Sequence, residues 1–219
     1  MFTIVSIVAV VATMIFFNAL YVAAEFATVS SRRTRVSQLA GQGNRMAQLL
    51  LPILQDSKKL DTYVATCQIG ITISSLVVGA YGQSVIAQRL ISPLTELLTS
   101  LEPALANIGV ESTAGWAEPA ATSIAVTLVL VAITIMQVIV GELFPKSVAI
   151  QYPESVALAV TIPMRITQFI ITYTGLIALF NGSGNIILRL MGRPLKEKSG
   201  HAHSPEEIEL LVSESHEQD

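Results

Sequence analysis

The run from Ile124 to Val140 carries no charged residue and ends on Gly141-Glu142, with Pro145 three residues beyond the acid. A stretch this long and this apolar reads as a helix that crosses a membrane, and a carboxylate at membrane depth is costly enough to mark function. Pro145 has no N–H, so a helix running through it leaves the Gly141 carbonyl, four residues earlier, without its donor. In hydrocarbon that oxygen must find another partner. A freed carbonyl beside a carboxylate suits a hard cation. The same residues also fit a helix ending at the membrane surface, with Glu142 paired to Lys146 one turn on.

The remaining composition agrees with a membrane chain. Of 219 residues 52% are hydrophobic and 13% charged, against about 25% charged in soluble domains. The fold class expected is therefore an all-α integral membrane protein. The lone Cys67 excludes an internal disulfide and a cysteine-built zinc site. His201, His203 and His216 all fall in the polar tail, which suits solvation better than metal binding. The basic residues sit beside the apolar runs, so nothing points to nucleic acid. No nucleophile–base pair and no glycine-rich phosphate loop is present, and no enzymatic activity is expected. Met1 to Phe17 lacks a basic leader and an Ala-x-Ala site, and reads as a retained helix.

Three crossings are expected, at about residues 3–29, 63–91 and 120–144. Arg32, Arg33, Arg35, Arg45, Lys58 and Lys59 follow the first and mark its end as cytoplasmic, which places the N-terminus outside a plasma membrane. Between them, Val36 to Leu54 reads as an amphipathic helix or helical pair, broken near Gly41-Gln42-Gly43 and Pro52. Ser92 to Pro119 has four glutamates and no lysine or arginine, as an external connection should; Pro103, Gly109 and Gly115 are expected to break it. Ser155 to Phe180 is apolar enough for a fourth crossing, yet contains Pro163 and Arg165. Crossing there would put Arg189, Arg193, Lys196 and Lys198 outside, against the charge rule. An interfacial belt over about residues 155–191 resolves the conflict. Residues 1–192 thus form the membrane domain. Residues 193–219 form a cytoplasmic linker and an acidic helix, opened by Ser204-Pro205-Glu206-Glu207, that leads toward a regulatory domain absent from this chain.

Several polar residues lie inside the crossings. Asn18 and Glu25, seven apart, share one face of the first. Gln68, Gly70, Thr72, Ser74, Ser75, Gly79 and Gly82 crowd the second; they fit either close small-residue packing or a row of neutral oxygen ligands. With Glu142 in the third, two carboxylates fall at similar depth and repel each other. A divalent cation relieves that repulsion, with Ser74, Ser75 and backbone oxygens near Gly70 and Gly141 completing its shell. An all-oxygen shell favours Mg²⁺ or Ca²⁺ over zinc or copper. Pro145 would keep the third helix irregular, and Lys146 would either hold Glu142 when the site is empty or mark the interface.

Longer motifs carry a resemblance. Asn18-Ala19-Leu20-Tyr21-Val22-Ala23-Ala24-Glu25-Phe26-Ala27 with Ser30-Ser31-Arg32-Arg33, Gln68-Ile69-Gly70-Ile71-Thr72-Ile73-Ser74-Ser75-Leu76, and Gly141-Glu142-Leu143-Phe144-Pro145-Lys146-Ser147 resemble the helix signatures of the CorC/cyclin M (CNNM) magnesium transporters. Asn181-Gly182-Ser183-Gly184-Asn185 and Pro205-Glu206-Glu207-Ile208-Glu209 also match. The resemblance implies a homodimeric domain of three crossings with a juxtamembrane belt, and Mg²⁺ export driven by a Na⁺ gradient. It further implies a following pair of cystathionine-β-synthase (CBS) domains that bind ATP; that pair is absent here, so any ATP effect would act through domains outside this chain. Val22-Ala23-Ala24 stands where some relatives have serine, so backbone carbonyls or Glu25 would replace first-helix hydroxyls. A Mg²⁺-sensing membrane scaffold without transport of its own uses the same site and is the competing expectation.

Overall fold

The computed structural model describes residues 2–107 and 115–175, and among these it is helical throughout, with no strand. Helix α1 (Phe2–Ser30) meets no charged residue before Glu25. Helices α2 (Arg33–Gly41) and α3 (Arg45–Gln55) form the expected pair. The break between them is the glycine turn: Gly43 takes a left-handed φ of 89°, open to glycine without steric cost. Asn44 then caps α3 by accepting from the backbone N–H groups of Met46 and Ala47. Pro52 is not a break, contrary to expectation. It removes a single hydrogen bond, to the Gln48 carbonyl, and both residues lie on the exposed face of α3. The opposite face buries Ala47, Leu50, Ile53 and Leu54.

Asp56 caps α4 (Ser57–Tyr81) through the N–H groups of Lys58 and Lys59. The helix then widens into a π segment (Gly82–Ala87) and continues as α5 (Gln88–Asn107), passing Pro93 and Pro103. The external connection expected over Ser92 to Pro119 is therefore largely helix, and Pro103 does not break it; Gly109 lies outside the described residues. Unbroken from Ser57 to Asn107, the helix is about 75 Å long at about 1.5 Å per residue. That is more than twice the ~30 Å of hydrocarbon in a bilayer. Helix α6 (Ala117–Met136) packs beside α5, widens into a second π segment (Gln137–Leu143), and ends as α7 (Phe144–Gln151). The third apolar helix thus runs past Lys146, where the sequence suggested it would stop. After Tyr152, α8 (Pro153–Tyr173) is one helix straight through Pro163.

Among the described residues four stretches are long and apolar enough to cross a membrane: Val5–Ser30, Ser57–Leu101, Ala117–Gln151 and Pro153–Tyr173. The first three overlap the expected crossings, and the fourth covers the first part of the stretch assigned to the belt. The rest of the expected belt and the Ser204 helix lie outside the described residues. Helix α1 is the axis of the fold, packed against α4, α7, α8 and the second π segment. Two apolar clusters form around it. One gathers Ala24, Ala27, Val36, Leu50, Tyr63 and Met164 near the basic end. The other gathers Ile15, Val78, Ala87, Ala125, Val129 and Ile133 toward the far end. Asn18 lies between Ile15 and Ala24 on α1, so a polar layer separates the two.

Candidate ion-binding site

The polar layer is built on Asn18, whose side chain is 1% exposed. Its Nδ2 donates to the Gly141 carbonyl at 3.2 Å, the oxygen whose α-helical donor position is taken by Pro145. Its Oδ1 accepts from Ser75 Oγ at 3.3 Å, and Ser75 Oγ in turn accepts from Gln137 Nε2. One amide therefore joins α1, α4 and the second π segment. That segment supplies the irregular backbone: the Phe144 N–H reaches the Ile139 carbonyl, five residues back, so the turn is wider than α-helical. Gly141 is required by the close approach, since a Cβ there would stand 2.9 Å from Asn18 Nδ2.

The other residues singled out in the sequence surround this core unequally. Ser74 is buried and donates to the Gly70 carbonyl of its own helix at 2.8 Å. Gly70 lies flat against the Tyr21 ring, where an added Cβ would come within 2.6 Å of Cδ2. Tyr21 OH pairs with Thr167 Oγ1 of α8 at 3.3 Å, which fastens α1 to α8. Glu25, two turns beyond Asn18, accepts from Gln68 Nε2 at 3.5 Å. Glu142 follows Gly141 in the wide turn; it is half-buried, and among the described residues it makes no hydrogen bond or ion pair. Lys146 is not its partner. The Lys146 ammonium sits over the Phe26 ring, 4.4 Å from the centroid.

The sequence reading missed Gln137. Its signal was available, as an amide in the middle of an apolar run whose other polar members are threonines. Among the described residues no three of His, Cys, Asp and Glu come together. What the layer offers is oxygen: an amide, hydroxyls, a backbone carbonyl and two flanking carboxylates, the donor set of a hard cation.

The glycines give a test of this packing. Gly70→Ala is expected to lower stability by about 1–3 kcal/mol, because the Tyr21 ring must move and it is tied to α8. Gly79 has nothing within 4 Å of an added Cβ; Gly79→Ala should instead gain up to about 1 kcal/mol from helix propensity. Thermal unfolding of the two variants in detergent checks the contrast, and equal effects would remove the Tyr21–Gly70 contact from the account.

Residues 8–219 match the family model described as the cyclin M transmembrane N-terminal domain. UPF0053 protein YhdT of Bacillus subtilis is 34% identical over 94% of this chain and 40% of its own length. UPF0053 protein YrkA of the same organism is 33% identical over 93% of this chain and 42% of its own. A Haemophilus influenzae protein named polyamine export protein is 28% identical over 84% of this chain and 37% of its own length. The chain spans about two-fifths of the length of these relatives. The breadth of the family match, together with the motifs in Asn18–Arg33, Gln68–Leu76 and Gly141–Ser147, shows that the chain belongs to the cyclin M (CNNM) transmembrane domain family.

Proposed function

We propose that this domain exports Mg²⁺ by a Na⁺-coupled secondary mechanism, through an oxygen-lined site between α1, α4 and the second π segment. The observation that carries the reading is the Asn18 amide holding the Gly141 carbonyl beside Glu142, which is half-buried and unpaired among the described residues. Asn18 Nδ2 supplies the positive partner that the carbonyl needs. An amide carries donor and acceptor on one head, so turning it exchanges Nδ2 for Oδ1 and opens an oxygen cluster to a cation. Glu142 and Glu25 bring negative charge, with Ser74, Ser75 and the Gly70 and Gly141 carbonyls as neutral ligands. Mg²⁺ sheds water reluctantly, so a partly hydrated ion held by a few of these oxygens is the form we envisage.

In the same proposal the basic end of α1 faces the cytoplasm of a plasma membrane, the N-terminus lies outside, and two copies form a dimer. Helix α8 is read as the belt rather than a crossing. Arg165 Nη2 donates to the Leu49 carbonyl of amphipathic α3 at 3.1 Å, which ties α8 to a surface helix. A second reading, export of polyamines, is favoured by the name of the Haemophilus influenzae relative and by carboxylates on two different helices.

Proteoliposomes loaded with Mg²⁺ or with spermidine, with and without a Na⁺ gradient, decide between them. Mg²⁺ flux that rises with the Na⁺ gradient is the expected result. Spermidine flux without Mg²⁺ flux would replace the substrate. Mg²⁺ binding with no flux of either would leave a sensing scaffold.

A further inference from the structure

A second binding feature lies on the other side of α1. An apolar groove of about 550 Å³ runs from Ala12 to Ala23 on α1 and from Met136 to Val148 on the facing helix, with Val160 of α8 at its edge. From Ala12 to Ala23 it rises roughly 16 Å at about 1.5 Å per residue, half of the ~30 Å hydrocarbon core and so the depth of one leaflet. Its volume is that of a ligand pocket rather than of a packing defect.

Beyond the basic end of this groove is a polar cavity of about 630 Å³, lined by Ser30, Arg32, Thr34, Arg35, Gln38 and, from the opposite wall, Gln151 and Glu154. The two are in line. Ser30 follows Ala23 by seven residues and shares its face of α1, while Gln151 follows Val148 by three. Arg35 Nη1 donates to Gln38 Oε1 at 2.8 Å, which steers its guanidinium. Glu154 Oε1 accepts from the Arg32 backbone N–H at 3.4 Å, so the one acid is drawn to the backbone. Two guanidinium groups against one carboxylate leave the cavity cationic.

We infer that the groove and cavity together bind one anionic phospholipid of the leaflet at the basic end, with an acyl chain between α1 and the second π segment and the phosphate against Arg32 and Arg35. An acyl chain there packs on Val140 and Pro145, which flank Gly141 along the chain. The lipid would therefore pack against the wide turn beside Gly141, through Val140 and Pro145. This inference needs no ion at the polar layer.

The test is lipid retained by the full chain after purification from a mixture of phosphatidylglycerol and phosphatidylcholine, with thermal melts in each lipid. The parent should retain phosphatidylglycerol in preference. Arg32→Gln and Arg35→Gln should each lower that preference about fivefold, the worth of one basic group near a membrane surface. Ala19→Phe, which fills the groove, should release the lipid; Ala12→Trp does the same farther from Asn18 if the first variant assembles poorly. A preference unchanged in both arginine variants overturns the inference. So does inorganic phosphate that stabilises the parent as strongly as phosphatidylglycerol, which would assign the cavity to a free anion. A change of oligomeric state on filling the groove, with lipid retention unaltered, would assign it to a second copy of the chain.

Discussion

Glu142→Gln is expected to weaken Mg²⁺ binding at least about thirtyfold while leaving the fold intact. At 4 Å and an effective dielectric of about 20, a pair of unit charges is worth about 4 kcal/mol. Halving that for the partial exposure of Glu142 still leaves about 2 kcal/mol, more than a factor of ten in affinity for each unit charge on the ion. The protein should survive because the carboxylate makes no hydrogen bond or ion pair to a described residue, and a neutral amide is cheaper at membrane depth than an acid. Lys146→Met provides the contrast. It removes a cation from over Phe26, costing about 0.5–1 kcal/mol of stability, and leaves the response to Mg²⁺ in place. The measurement is the rise in melting temperature with added Mg²⁺, since a ligand protects only a protein that binds it. A Glu142→Gln protein protected as strongly as the parent would remove the acid from the site.

Asn18 carries the second large effect, and here two substitutions should act in opposite directions. Asn18→Leu keeps the volume but leaves the Gly141 carbonyl without a donor, at a cost of about 1–3 kcal/mol; Mg²⁺ should no longer protect this variant. Asn18→Asp keeps an acceptor for Ser75 yet sets a carboxylate against the Gly141 carbonyl. The ion-free protein should melt lower, and Mg²⁺ should raise its melting temperature by more than it raises the parent's. If the aspartate variant responds to Mg²⁺ no better than the leucine variant, Asn18 is a structural clasp and the cation binds elsewhere.

How far the sequence could be read depended on whether the chemistry was local. The carbonyl that Pro145 frees is a local matter, four residues back on the same helix, and it was legible. Its partner was not, because Asn18 stands 123 residues away in the chain and helical periodicity gives a face without naming what the face meets. Gln137 was passed over inside an apolar run, although an amide there must satisfy its hydrogen bonds on another helix. Gly70 was legible as a close approach, but the neighbour is the ring of Tyr21 rather than another backbone. Pro52 and Pro103 suggest breaks but lie inside helices, as Pro93 does. Each removes one backbone hydrogen bond, and Pro52 and Pro93 are exposed, so water or headgroups satisfy the freed carbonyl on those faces. Glu142 and Lys146 have the spacing of an ion pair, but the ammonium rests on Phe26 of another helix, a contact that spacing along one helix cannot reveal.

The helix from Ser57 to Asn107 is also a lever. Ser75, its member in the polar layer, is about 27 Å from the foot at about 1.5 Å per residue, while Asn107 is about 75 Å away. Over those lengths a tilt of about 10° moves Ser75 by about 5 Å and the far end by about 13 Å. Any rearrangement that admits a cation between Asn18 and Ser75 by tilting this helix is thus magnified almost threefold at its far end, where a pair of spin labels on α5 and α2 would read the loading of the proposed site.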